Sequence, residues 1–328
     1  MCRSLPLLFS FALLAPLSAQ TPAPNHDPMR AQLVTSDIPN FWRVFDKASL
    51  KDAGDLFQRE YIDIGSPGLH AFLRARIESG RVLAATVAAR PKYYASIRDA
   101  TLSIDQKPEI KQAIQTTFRR MKEIYPDAIF PDVYFIIGRM NSAGTTDGGK
   151  GLLIGVEMIA RSENTPVDEL NSWERAVIGQ IANLPHIVGH ELIHIEQHHA
   201  NRQAINGQAT LLQKALDEGG ADFLGEMISG GIINRAQRDY GDAHEEALWR
   251  EFSAAMHGTD SSRWLYEGDR AKDRPADMGY YMGFKICEAL YKRSADKSAA
   301  IRQILVISDA DAMLKDSGYG EKFASARR

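Results

Sequence analysis

Cysteine is almost missing from this chain: its 328 residues include two, Cys2 and Cys287. Cys2 stands before an apolar run, so it cannot serve as a lipid-modified cysteine that follows a cleavage point. Once the leader described below is removed, Cys287 remains alone, which excludes an intrachain disulfide framework. It sits among apolar residues, where a thiol acts as core filler. Charge of one sign is lacking too. The formal net charge is −3, with 25% charged residues of both signs, so no nucleic acid is expected as a partner. Past Leu17 there is no long apolar segment, and no membrane span is expected. Internal repeats and strong linkers are absent as well. With 44% hydrophobic residues the chain can still bury a sizeable core.

What is present begins with a leader. MCRSLPLLFSFALLAPLSAQ has a basic Arg3, an apolar run from Leu5 to Leu17, and the small residues Ser18 and Ala19. This pattern is that of a secretory signal peptide over residues 1–20, cleaved after Ala19 or Gln20. The mature protein is therefore expected to be exported, either periplasmic or secreted. A polar, proline-rich stretch follows and reads as a disordered tether over residues 21–30. Residues 31–328 then read as a single domain, helical to about residue 130 and site-bearing after it.

From about Ser36 to Tyr125 the apolar residues recur at helical spacing. TSDIPNFWRVFDKA offers capping residues before its aromatics, and SPGLHAFLRARI opens on the start signals Ser66 and Pro67. KPEIKQAIQTTFRRMKEIY lines up Ile110, Ile114, Phe118 and Met121 on one face. The pattern then changes to strands, DVYFIIG (Asp132 to Gly138) and GLLIGVEMIA (Gly151 to Ala160), with the glycine-rich loop RMNSAGTTDGGK between them. Helices resume near Val167. Strands flanked by segregated helices argue for an α+β fold, mainly helical, with a small sheet before the histidine-rich helix.

That helix holds HIVGHELIHIEQHH, five of the nine histidines within His186 to His199. His186, His190, His194 and His198 recur every four residues, and only neighbours one turn apart can share a small ion. Of the three pairs, only His190-Glu191-Leu192-Ile193-His194 has a carboxylate directly after its first histidine. A glutamate there lies beside an ion and can accept a proton from water bound to it. His186, His198 and His199 read as helix-end or supporting groups, the last two favoured by the helix C-terminus.

Catalytic zinc takes three protein ligands and keeps an open position. Downstream, LLQKALDEGGADFLGEMISG reads as a second helix ended by Gly230 and Gly231. Glu218 follows His194 by 24 residues, which leaves room for a loop and an antiparallel return. Gly219 and Gly220 each cost a helix about 1 kcal/mol relative to alanine, and close approach to the histidine helix would explain them. Asp222 lies one turn after Glu218 and can fix the tautomer of a ligand histidine. Asp217 reads as a solvated acidic position.

HELIH followed by EGGAD resembles the gluzincin, thermolysin-like metallopeptidases. TSDIPNFW, GSPGL, HELIHIEQ, EGGADFLGE and MGYYMGFKI together resemble a family of predicted zinc-dependent proteases found as secreted bacterial proteins. The resemblance implies a zincin-like metalloprotease fold with one zinc per chain. It implies His190, His194 and Glu218 as metal ligands, Glu191 as general base and Asp222 as the partner of a ligand histidine. It also places the strand GLLIGVEMIA at the cleft edge, where Glu157 would meet a substrate amine or simply be exposed. In MGYYMGFKICEALYKR, Tyr280 shares a face with Gly283, Phe284 and Cys287. It is the inward tyrosine and the candidate transition-state donor, with Tyr281, His244 and His257 as alternatives.

The expected function is an exported zinc metallohydrolase, a peptidase acting on peptides or proteins. The alternatives are a zinc hydrolase of non-peptide amides, or a non-enzymatic exported zinc-binding protein for structure or partner recognition. In the last case a closed site would draw its fourth ligand from His186 or His198.

Overall fold

The computed structural model describes residues 23–48, 51–147, 151–200 and 208–324. The expected signal peptide over residues 1–20 lies outside the described residues. The expected tether is described from Ala23 onward, and there it is pinned rather than loose. Asn25 accepts the Phe130 N–H at 2.7 Å, and its side-chain amide donates to the Phe130 carbonyl at 2.8 Å. Three prolines removed the helix and strand signals, but the backbone still finds a neighbour to pair with.

Ile38, Phe41, Trp42 and Val44 recur at helical spacing, and α1 (Asp37–Lys47) buries all four. Ser66 accepts the Leu69 N–H and caps a short helix whose first residue is Pro67. In α2 (Pro108–Ile124) the buried face is Ile110, Ile114, Phe118 and Met121. Around α1 the rings of Phe41, Trp42, Phe57, Tyr61 and Tyr94 pack edge-on, tilted or stacked within one continuous core.

The sheet has four strands, β1 (Leu33–Val34), β2 (Asp132–Ile136), β3 (Gly144–Thr146) and β4 (Gly151–Gly155), in the order β1-β2-β4-β3. β1 and β4 run parallel to β2, and β3 pairs antiparallel with β4. Three expectations change here. The glycine-rich segment read as a loop contains β3, whose Thr145 and Thr146 are short of the apolar run that announces a strand. GLLIGVEMIA stays a strand only to Gly155 and then turns through a 3-10 helix, Val156–Met158. The edge strands are therefore β1 and β3, while β4 is interior and buried along its length.

Glu157 is accordingly not exposed but fully buried. Its two oxygens accept the N–H groups of Gly138 at 2.8 Å and Met140 at 3.1 Å. The hydroxyls of Tyr61 and Tyr94 donate to the carbonyls of Ile137 and Gly138 in the same segment. The helical half thus holds the chain that leads into β3. Burial pushes the Glu157 carboxyl up to about 7, against the pull of its backbone donors. Between the ordinary glutamate value of 4.5 and about 7 the folded chain binds more protons than the unfolded chain. The stabilisation from protonated Glu157 is thus complete below this window and is lost as pH rises through it. Glu157→Gln cannot titrate, so its melting temperature should vary less between about pH 5 and 8. It should also be less stable at about pH 5, by roughly 1–3 kcal/mol, because its amide turns a donor toward one backbone N–H. Thermal melts across pH test both effects, and parallel curves for the two proteins would refute this account of Glu157.

Among the described residues, five helices of ten residues or more build the second half: α3 (Leu184–Ala200), α4 (Leu211–Ser229), α5 (Arg235–Ala255), α6 (Met278–Arg293) and α7 (Lys297–Val306). Thr210 caps α4 by accepting the Gln213 N–H, and Gly230 ends it in the left-handed region at φ 81°. α4 lies between α3 and α6. The glycine that meets the histidine helix is Gly225, whose added Cβ would sit 3.1 Å from His190 N and Cα. Gly219 instead faces the backbone of Gly283 and Phe284 on α6. The expected explanation of Gly219 as an approach to α3 is corrected to an approach to α6.

Candidate metal centre

His190 and His194 stand one turn apart on α3, and α4 brings Glu218 against them, so that one donor atom of each lies within 4.8 Å of the others. The two Nε2 atoms are 3.1 Å apart, and Glu218 Oε2 is 3.2 Å from that of His194 and 3.6 Å from that of His190. The outer nitrogens are both engaged. His190 Nδ1 lies 2.8 Å from Asp222 Oδ1, and Asp222 Oδ2 accepts the Asn234 amide at 2.7 Å. His194 Nδ1 lies 2.7 Å from Gln197 Oε1. The Gln197 amide is oriented by donating to the Asp217 carbonyl at 2.9 Å. Both partners of the Nδ1 atoms are acceptors, so Nδ1 carries the proton and a neutral ring presents its Nε2 lone pair.

Two lone pairs facing each other at that distance repel unless positive charge lies between them. In tetrahedral zinc, bonds of 2.0–2.1 Å put two ring nitrogens about 3.3 Å apart. The donor set therefore fits a small dication. Without one, protons do the same work. Burial alone pulls both imidazoles down, but Asp222 and Glu218 outweigh it and hold His190 well above the ordinary histidine value. Glu218 likewise outweighs burial at His194, which is pushed up to about 9. Burial would raise Glu218, but the two rings outweigh it and hold its carboxyl well below the usual range.

Around this core lies a cleft of about 830 Å³, whose lining includes Glu191, Tyr266, Tyr280 and β3. Glu191 is buried, with its carboxyl raised by burial and partly offset by the two imidazoles. A Cβ on Gly144 of β3 would collide with that carboxylate, so glycine there admits Glu191. Tyr280 lines the cleft with its ring stacked on His190, centroids 6.2 Å apart. Tyr281, read as outward, is the more deeply buried of the two, and its hydroxyl donates to Asp242 at 3.0 Å. His244 and His257 are exposed and do not line the cleft. Asp217 is corrected from a solvated position to a cleft residue, 3.8 Å from His194 Nδ1. His198 stacks beside His194, whereas His186 lies under Gly231 with its Nδ1 unpartnered; neither joins the three donors.

Sequence reasoning missed Gln197, Asn234 and Tyr266. Gln197 was within reach, because it lies one turn after His194 on the same helix. Tyr266 had no local signal. It reaches back across 48 residues to donate to Glu218 Oε1 at 2.5 Å, from a left-handed backbone at φ 58°. Glu267 and Asp277 hold its loop by accepting each other's backbone N–H.

The family model described as gliding motility protein GldB matches residues 34–321. The chain belongs to the gliding motility protein GldB family. No curated protein and no solved structure matches it. Membership overturns the resemblance to gluzincins and to secreted zinc-dependent proteases, because the matching family is a gliding motility family and no protease family is found. The expectations of a zinc metallohydrolase and of a zinc-dependent metallopeptidase fall with it. Glu191 and Tyr280 stand here as cleft residues beside the donor set. The resemblance rested on a few short motifs, whereas the family match is continuous over residues 34–321. Membership is consistent with an exported protein. Among the described residues no helix is long and apolar enough to cross a membrane.

Proposed function

We propose that this GldB-family protein is a non-enzymatic, exported component of gliding motility that holds one zinc ion at His190, His194 and Glu218. The metal braces α3 against α4 and shapes the cleft through which the protein recognises a protein partner. The observation that carries this reading is the pair of Nε2 atoms facing each other at 3.1 Å, with both outer nitrogens already engaged. We read the scaffold as zincin-like in architecture alone, with residues 31–328 forming a single domain around one core. His186 and His198 stand outside the donor set, so the fourth position is left for solvent or for a group of the partner.

The decisive experiment is metal analysis of purified protein beside a hydrolysis screen on mixed peptides. About one zinc per chain without peptide turnover is the expected result. Absence of zinc after incubation with the metal would overturn the metal centre, and turnover would overturn the non-enzymatic assignment. Asp222→Asn should keep the three donors yet bind zinc roughly 10–100-fold more weakly, because it no longer holds the His190 ring in its tautomer. Competition with a chromogenic chelator measures this. Unchanged affinity would remove Asp222 from the site.

A further inference from the structure

Tyr266 holds a position that packing does not explain. The residue is 61% exposed, and its backbone lies in the left-handed region at φ 58°, where glycine is the ordinary occupant. Its loop is nonetheless firmly fixed. The Glu267 N–H donates to Asp277 Oδ1 at 2.7 Å, and the Asp277 N–H donates to Glu267 Oε2 at 2.9 Å. The Arg270 guanidinium donates to the Tyr266 carbonyl at 2.7 Å and to the Glu267 carbonyl at 3.1 Å. Backbone strain persists only where the surroundings over-determine it. Here those surroundings deliver one phenol hydroxyl to Glu218.

The two oxygens of Glu218 have different company. Oε2 faces both rings, 3.2 Å from His194 Nε2 and 3.6 Å from His190 Nε2. Oε1 accepts the Tyr266 hydroxyl at 2.5 Å. An ionised carboxylate can only accept, and a hydrogen bond to a charged oxygen is about twice as strong as one between neutral groups. The difference matters to a metal. A carboxylate can give an ion one oxygen or both, and zinc can expand from four donors to five. A second oxygen of Glu218 on the ion would fill space that an outside donor needs. With Oε1 tied to Tyr266, Oε2 remains to join the two ring nitrogens, and the cleft lies beside them.

The geometry points to Tyr266 as a positioning residue that restricts Glu218 to one-oxygen coordination and so keeps the fourth position of the metal open to an outside donor. Tyr266 acts through Glu218 and does not itself ligate the ion. This inference rests on the metal centre proposed above and names the residue that keeps that centre open.

The test uses the full mature chain loaded with cobalt(II), which accepts the same nitrogen and oxygen donors as zinc. Its visible absorption is strong with four donors in a tetrahedral field and weakens when a fifth is added. Imidazole is the probe for the open position. The parent should show the strong four-donor spectrum and change it on adding imidazole. Tyr266→Phe removes only the hydroxyl of a largely exposed ring. Its cobalt bands should weaken and shift, and imidazole should bind about 10–100-fold more weakly, the worth of one hydrogen bond to a charged group. Tyr281→Phe is the control, because that hydroxyl donates to Asp242 and the residue does not line the cleft; spectrum and imidazole affinity should match the parent. A tyrosine that merely held its loop would leave the cobalt spectrum unmoved. Absence of either change in Tyr266→Phe would overturn the inference, as would a Tyr266→Phe protein that takes up no cobalt. A parent that binds cobalt but ignores imidazole would overturn it and leave the metal centre standing. A parent that takes up neither cobalt nor zinc would overturn the metal centre and this inference together.

Discussion

Gly219→Ala is expected to destabilise the protein by roughly 3 kcal/mol, at the upper end of what one methyl group costs in a packed interior. Helix propensity alone predicts the opposite sign, since alanine in place of a helical glycine gains up to about 1 kcal/mol. The conflict is settled by what the new Cβ would meet. It would fall well under 3.0 Å from the Phe284 nitrogen and the Gly283 carbonyl carbon, both backbone atoms of α6. Backbone atoms cannot rotate away as a side chain can, so α4 and α6 must separate. Glu218 precedes the substituted position and would move with α4, so zinc affinity should fall as well. Gly220→Ala is the comparison, because its Cβ would meet Ile304 Cγ2 at 3.0 Å and other side-chain atoms farther away. Chemical denaturation of parent and both variants gives the numbers. A Gly219→Ala protein as stable as its parent would remove the close helix approach from the account.

Zinc itself should produce the largest stabilisation. A ligand that binds only the folded chain adds about 4 kcal/mol at a free concentration a thousandfold above its dissociation constant. For a protein of this size that corresponds to a rise in melting temperature of roughly 10 °C. His190→Ala should abolish the shift, because two remaining donors hold zinc far less well than three and Asp222 loses the ring it orients. The quantity to compare is the difference between metal-free and zinc-loaded protein, which stays informative even if the variant is less stable overall. Glu191→Gln should retain the full shift, since Glu191 is not among the three donors. A parent protein whose melting is unmoved by zinc would sink the metal centre. Loss of the shift in Glu191→Gln would make Glu191 a support of the site.

Much of this was legible before any coordinates. Helical periodicity located α1, α2, α3, α4 and α6, because a helix buries a stripe and the stripe repeats in the sequence. The spacing of four between His190 and His194 places both rings on one face for the same reason. Asp222, one turn beyond Glu218, follows the same rule, and the structure sets it 2.8 Å from His190 Nδ1. β3 was not legible. Its three residues carry too little apolar pattern, and pairing with β4 makes the strand. The burial of Glu157 and the place of Asp217 in the cleft were missed because a carboxylate's surroundings come from elements distant in the chain.

The sequence by itself determined the helices, the histidine pair and the candidate acidic donor, all consequences of local periodicity within one or two helices. Family membership came from the pattern of the chain over residues 34–321, beyond what any single motif could decide. Only the tertiary structure decided which ring nitrogens face each other, that Gln197 and Asn234 lock the outer shell, and that Tyr266 reaches Glu218 from a distant loop. It also decided that Gly219 serves the contact between α4 and α6. These depend on distances between segments far apart in sequence, set by how the helices pack on the sheet and on one another, and no local periodicity encodes them.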